Sequence, residues 1–135
     1  MNTGVHRGFT LVECAVACAI VVLLTAIAVP SFQGEKLRAS RLDAVQALTR
    51  LQMAQEQYRA AHGLYATELT VLRGVTAISD QGRYTLTVAQ TGPESYRAVA
   101  QARGAQSSDK NCEALTLDVA QGWAQTGPTP QCWNR

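Results

Sequence analysis

The sequence predicts an α+β fold: one long N-terminal helix, its first half apolar enough to span a membrane, packed on a small antiparallel β-sheet. Three observations predict it. Cys14–Val29 is a run of 16 residues without a charge. Glu35–Ala61 contains neither Gly nor Pro and repeats stripe positions at spacings of three and four, the period of a helix with one buried face. Three short segments then alternate apolar and polar residues, the period of half-buried strands.

The apolar stretch comes first. Leu11–Val29 would be about 29 Å long as a helix, close to a hydrocarbon core of roughly 30 Å. Three readings are open to it. It could anchor the chain in a membrane. It could be a cleaved secretory signal, with Arg7 as the basic start and Ala26-Ile27-Ala28 as a small-x-small cleavage site. It could be a core helix, although it is apolar on every face and a chain of 135 residues offers little to enclose it. Helix-forming residues continue beyond Pro30, which favours the anchor.

Glu13 sits near the start of this run. A carboxylate deep in a membrane costs several kcal/mol, less near the end of the span and less again beside a cation. Cleavage between Gly8 and Phe9 would place a new α-amino group four residues before it. The carboxylate also suits the unsatisfied N–H groups of a first helical turn. The stretch "RGFTLVECAVACAIVVLLTAIAVPSFQ" resembles the N-terminus of type IV pilins and pilin-like proteins. The resemblance implies a leader, residues 1–8, removed after Gly8 by a prepilin peptidase, and N-methylation of Phe9. It makes Glu13 the acid at the fifth mature position and Pro30 the residue that kinks the long helix. In a filament, pairing of Glu13 with the α-amino group of a neighbouring subunit is the expected role, the alternative being that Glu13 only marks the interface end of the helix. Cys14 and Cys18 depart from the common pattern. Four apart, they share one helical face and read as small packing residues.

The domain organisation expected is a leader at 1–8, a membrane-spanning and filament-core half-helix at 9–30, an amphipathic half-helix at 31–62 and a β-sheet head at 63–135. In the second half-helix the stripe runs through Leu37, Arg41, Val45, Leu48, Gln52, Gln55 and Tyr58, with Ala44 and Leu51 beside it; Arg41, Gln52 and Gln55 weaken it. Gly63 is the expected stop. Tyr58 and His62 lie four apart, but no further His or acidic cluster accompanies them, so His62 reads as a helix-end residue and no metal or other cofactor is expected.

In the head, residues 63–77 read as a loop with a helical turn around Thr67–Leu72, capped by Thr67. The strand candidates are Arg83–Ala89, Ser95–Ala102 and Ala114–Ala120, with a turn at Thr91–Glu94 and core-facing Tyr84 and Tyr96. Gly104–Asn111 reads as a polar, mobile loop. Cys112 and Cys132 suit a disulfide in an oxidising compartment, closing a loop around the last strand and the Gly/Pro-rich tail. The segment "NCEALTLDVAQGW…QCW" resembles, more loosely, the C-terminal loop of minor pilins of the PilE-like kind, and Trp133 is expected near the disulfide.

The net charge is +2 and the Arg residues are scattered, leaving no strong nucleic-acid footprint. Nothing in the sequence matches a phosphate-binding loop, a metal set or a nucleophile–base arrangement, so no enzyme is expected. The favoured reading is a structural minor pilin, held in the inner membrane with its head in the periplasm before it joins a filament. Its partners would be the prepilin peptidase, other pilin subunits and the inner-membrane assembly platform. One rival is a type II secretion pseudopilin, whose calcium-binding version would want more carboxylates than Asp109, Glu113 and Asp118. A second is a DNA-uptake minor pilin, with weak DNA binding if Arg97, Arg103, Lys110 and Arg135 converge. A secreted periplasmic binding module is the reading from a different class.

Overall fold

The computed structural model describes residues 8–134. The expected leader up to Arg7, and Arg135 of the expected basic patch, lie outside the described residues. The chain divides into two compact units, Met1–Glu35 and Lys36–Arg135.

Helix α1 spans Leu11–His62. It starts two residues later than the expected Phe9, because Thr10 takes the cap position. Helical backbone continues through Pro30 and Gly34. In the first unit the apolar side chains are exposed, including Phe9, Leu11, Val16, Ile20 and Leu24. By length and composition this part of α1 is apolar enough to cross a membrane. Thr25 is internally satisfied: its hydroxyl donates to Val21 O and Val22 O, both at 2.9 Å.

The second unit contains the rest of α1 and a four-stranded antiparallel sheet: β1 (Tyr84–Gly92), β2 (Ser95–Ala102), β3 (Ala114–Ala120) and β4 (Trp123–Gly127), in spatial order β1-β2-β3-β4. This meander contains the three expected strands. β1 runs three residues further than expected, so the turn narrows to Pro93–Glu94, and β4 was not expected at all. Tyr84, Leu86, Tyr96, Ala98, Ala100, Leu115, Leu117 and Val119 form the sheet's inner face and share one core with Ala44, Ala47, Leu48, Leu51 and Ala54 of α1. The buried face of α1 is centred on 44, 48, 51 and 55, rotated slightly from the expected stripe; Val45 and Gln52 lie at its margin. The alanines bring the helix backbone close to the sheet, and the tyrosines fill the remaining volume. Tyr65 and Tyr96 pack edge to face, with ring centroids 4.8 Å apart.

α1 ends where Gly63, at φ 78°, turns left-handed and its N–H caps Arg59 O at 2.7 Å. The turn after it is a 3-10 helix at Leu69–Val71, preceded by Glu68 with no side-chain cap. The expected cap by Thr67 is therefore absent. Gly104–Asn111 is not a loose loop. It holds the 3-10 turn Gly104–Ser108 and the start of a second, Lys110–Cys112, and it buries Gln106 and Asp109. Cys112 and Cys132 are disulfide-bonded, and Trp133 is buried beside them with its indole N–H donated to Gly127 O at 2.8 Å.

Candidate functional site

At the N-terminus, Gly8, Phe9 and Thr10 precede the first helical turn as exposed, non-helical residues. Thr10 and Glu13 then form a reciprocal cap. The Glu13 N–H donates to Thr10 Oγ1 at 3.2 Å, while Glu13 Oε2 accepts from the Thr10 N–H and hydroxyl, both at 2.9 Å. This is a capping box, in which two of the orphan donors of a helix start are satisfied by side chains. Glu13 thus has a partner in its own chain. Thr10 went unremarked in the sequence, although its signal, Thr-x-x-Glu before an apolar run, is legible there. Cys14 and Cys18 are exposed and unbonded.

In the head, a buried ion pair and several polar hydrogen bonds tie α1 to the loops. The Arg41 guanidinium meets Asp109 through Nε at 2.7 Å and Nη2 at 2.9 Å, and its Nη1 donates to Gln131 O at 3.2 Å. The bond to Asp109 raises the Arg41 pKa against the opposing cost of burial. Gln106 Nε2 reaches both Asp109 and Leu37 O. Two residues along, Asp43 accepts from the Ser79 hydroxyl at 2.6 Å and the Gln81 N–H at 3.2 Å. Ser40 accepts from Arg83.

The residues named for a DNA or calcium site do not gather as such. Arg97 lies mid-strand against Asp118 at 2.5 Å. Arg103 sits beyond the other end of β2, next to Arg83, whose O accepts its N–H at 2.9 Å. Lys110 faces Glu113 at 3.8 Å. The three carboxylates Asp109, Glu113 and Asp118 are therefore each opposite a cation, and among the described residues no group of three or more His, Cys, Asp or Glu side chains forms a metal cluster. His62 stacks on Tyr58 with centroids 4.1 Å apart, its Nδ1 3.0 Å from Tyr58 O, at the helix end.

A capped apolar helix emerging into a helix-on-meander head, stapled at its C-terminal loop, is the architecture of a pilin. Residues 5–29 match the family described as the prokaryotic N-terminal methylation motif. Residues 30–116 match the family described as type IV minor pilin ComP, DNA uptake sequence receptor. The chain belongs to the type IV pilins that carry an N-terminal methylation motif, a structural and not an enzymatic family. It is 32% identical over 84 residues to the type IV major pilin protein PilE of Neisseria gonorrhoeae, covering 62% of this chain and 50% of that protein. It is 32% identical over 88 residues to a fimbrial protein of Neisseria meningitidis serogroup B, covering 65% and 51%. The chain thus spans about half the length of the relatives it matches.

Proposed function

We propose that this chain is a minor pilin that binds double-stranded DNA for uptake. The observation that carries the reading is the match of residues 30–116 to the DNA uptake sequence receptor family. It reverses the order of the two minor-pilin readings drawn from the sequence, where scattered Arg residues gave the DNA role second place. Adjacent Arg83 and Arg103, with exposed Lys110 in the 3-10 turn that follows, offer phosphate contacts at one end of the sheet.

In this reading the precursor is held in the inner membrane by α1 with its head in the periplasm. The prepilin peptidase cleaves after Gly8, Phe9 is N-methylated, and the subunit passes through the assembly platform into a filament with other pilins. Residues 9–30 form the filament core, Pro30 bends the helix, residues 31–62 carry the sheet, and 63–135 form the exposed head. Glu13 exchanges its own-chain cap for a neighbour's amine. The test is retardation of double-stranded DNA by the full-length protein in detergent, with and without an uptake sequence. Binding that weakens steeply with salt, and that falls for R103E, supports the reading. No retardation at low salt overturns it and leaves the role of a structural pilin without DNA binding.

A further inference from the structure

The outer face of the sheet, turned away from α1, has a low floor and tall side chains around it. Along β2 the buried Tyr96, Ala98 and Ala100 alternate with Ser95, Arg97, Val99 and Gln101, which face outward, and the backbone is still extended at Arg103, φ −135°. Thr87, Val99, Thr116 and Gly127 form one row across all four strands. All are short, and a side chain at Gly127 would meet Thr116 Oγ1 at 2.6 Å, so the floor stays low there. Arg97 and Arg103 rise on either side of this row, about 20 Å apart along β2. Arg97, Asp118 and Gln125 form a second row, and Trp123 stands two residues beyond Gln125 on β4, about 12 Å from Arg97.

Trp123 is 81% exposed. Its row, Ser95–Ala120–Trp123, faces outward, whereas the next row, Tyr96–Val119–Ala124, lies on the core side. Gln121 and Gly122, with φ 51° and 82°, make the two-residue turn that matches the twist of β3 and β4, so the backbone under the indole is held firmly. The only carboxylate on this face among the described residues is Asp118, and it is paired with Arg97 through Nε at 2.5 Å. That pair is exposed, with side-chain exposures of 57% and 37%, so it contributes little, and a guanidinium has further N–H donors for a phosphate.

A flat surface with cations along it and one exposed ring fits a flexible polyanion that carries accessible rings of its own. Single-stranded nucleic acid is such a ligand: phosphates go to guanidiniums and an unpaired base stacks on an aromatic side chain. A fully paired duplex keeps its ring faces inside its own stack. A protein partner would want a wider apolar core, and the neighbours of Trp123 on this face are Ser95, Ala120 and Gln125. A neutral sugar would leave Arg103 without a role. We propose that the outer face of the sheet binds single-stranded DNA, with one base stacked on Trp123 and phosphates on Arg97 and Arg103. This rests on the reading of the chain as a DNA-binding pilin and adds an unpaired form of the ligand. Trp123 lies beyond residues 30–116, so the stacking residue is not part of the match to the receptor family.

The experiment titrates the full-length protein in detergent with dye-labelled oligo(dT), and with a fully paired duplex of equal length and blunt ends. Oligo(dT) should quench the emission of Trp123. W123A should weaken oligo(dT) binding about tenfold, the effect of one lost base stack, and leave duplex binding within about twofold. W123F should recover most of the loss. An indole releases no counterions, so W123A keeps the slope of log K against log salt, whereas R103Q makes it shallower by about 0.7, the share of one single-strand phosphate. Trp123 and Arg103 are exposed, so neither change disturbs the core. Unchanged oligo(dT) binding by W123A, an equal loss for the duplex, or quenching by cellohexaose and not by oligo(dT) would each overturn the proposal. Duplex retardation with no oligo(dT) binding would overturn it and leave the uptake reading standing. Oligo(dT) binding through Trp123 with no duplex retardation would do the reverse.

Discussion

Gln55 grips Ala66 by both of its backbone groups: Nε2 donates to Ala66 O at 3.0 Å, and Oε1 accepts from the Ala66 N–H at 2.8 Å. The amide is fully buried, so it acts as an artificial turn of backbone that fastens the first residues after α1 to the helix. Gln55→Ala would leave an N–H and a C=O buried without partners, at about 1–3 kcal/mol each. Chemical denaturation should show a loss in that range. Gln55→Leu should be no better, because it fills the space and satisfies neither group.

The Arg41–Asp109 pair is nearly removed from water, with side-chain exposures of 11% and 7%. Breaking such a pair from one side strands the other charge, at about 3–5 kcal/mol. R41M or D109N alone should therefore lower the denaturation midpoint sharply, and R41M/D109L together should recover much of the loss. Additive losses in the double variant would show that the bonds to Gln131 and Gln106, and not the charge pair, dominate.

Burial pushes the Tyr84 phenol up to about 12 and raises that of Tyr96 as well. In an unfolded chain a phenol ionises near about 10. Below that pH both states hold the proton, and the stability linked to it is fully present. As pH rises from about 10 towards the folded value the unfolded chain loses protons first, so stability falls. Phenolate absorbance should show Tyr84 and Tyr96 ionising together with alkaline unfolding, and Y84F should remove part of the pH dependence without loss at neutral pH.

The Thr10–Glu13 cap predicts a graded series. Thr10→Ala should fray the first turn of α1 by about 1 kcal/mol, and Thr10→Ser should not. Glu13→Ala should leave cleavage after Gly8 largely intact and reduce entry into filaments, read by the pilus-to-membrane ratio of the subunit. Normal incorporation of that variant would sink the proposed exchange with a neighbour's amine.

Reduction of Cys112–Cys132 frees a segment of 20 residues' separation. Chain-entropy reasoning assigns about 3 kcal/mol to closing it. Because Arg41 binds Asp109 and Gln131 O, each just before one of the two cysteines, reduction and R41M should be less than additive.

Long, strongly periodic segments were legible: the apolar run, the amphipathic helix and three alternating strands all carry their burial in their spacing. β4 was not, because WAQTG is short and its outward Trp123 and inward Ala124 and Thr126 invert the usual pattern. Gly104–Asn111 was misread because its polarity is that of a buried network whose helical partner, Arg41, lies 68 residues from Asp109 in sequence. That separation hides why Arg41 interrupts the apolar stripe, while Gln55 interrupts it for Ala66, a partner beyond the end of the helix. Both are polar positions on the buried face, satisfied from outside the helix. Of the candidate site, Glu13 stood out by its charge, while Thr10 needed the Thr-x-x-Glu spacing to be read as a cap.

That spacing has a consequence for maturation. Both partners of the cap, and the Cys14 N–H bonded to Thr10 O at 3.2 Å, lie on the C-terminal side of the Gly8–Phe9 bond. The proposed cleavage after Gly8 would leave the point of helix initiation where it is. In the proposed maturation the precursor and its shortened product share one helical register, and trimming would change only what precedes the first turn: one free amine, four residues before a carboxylate that is already in place.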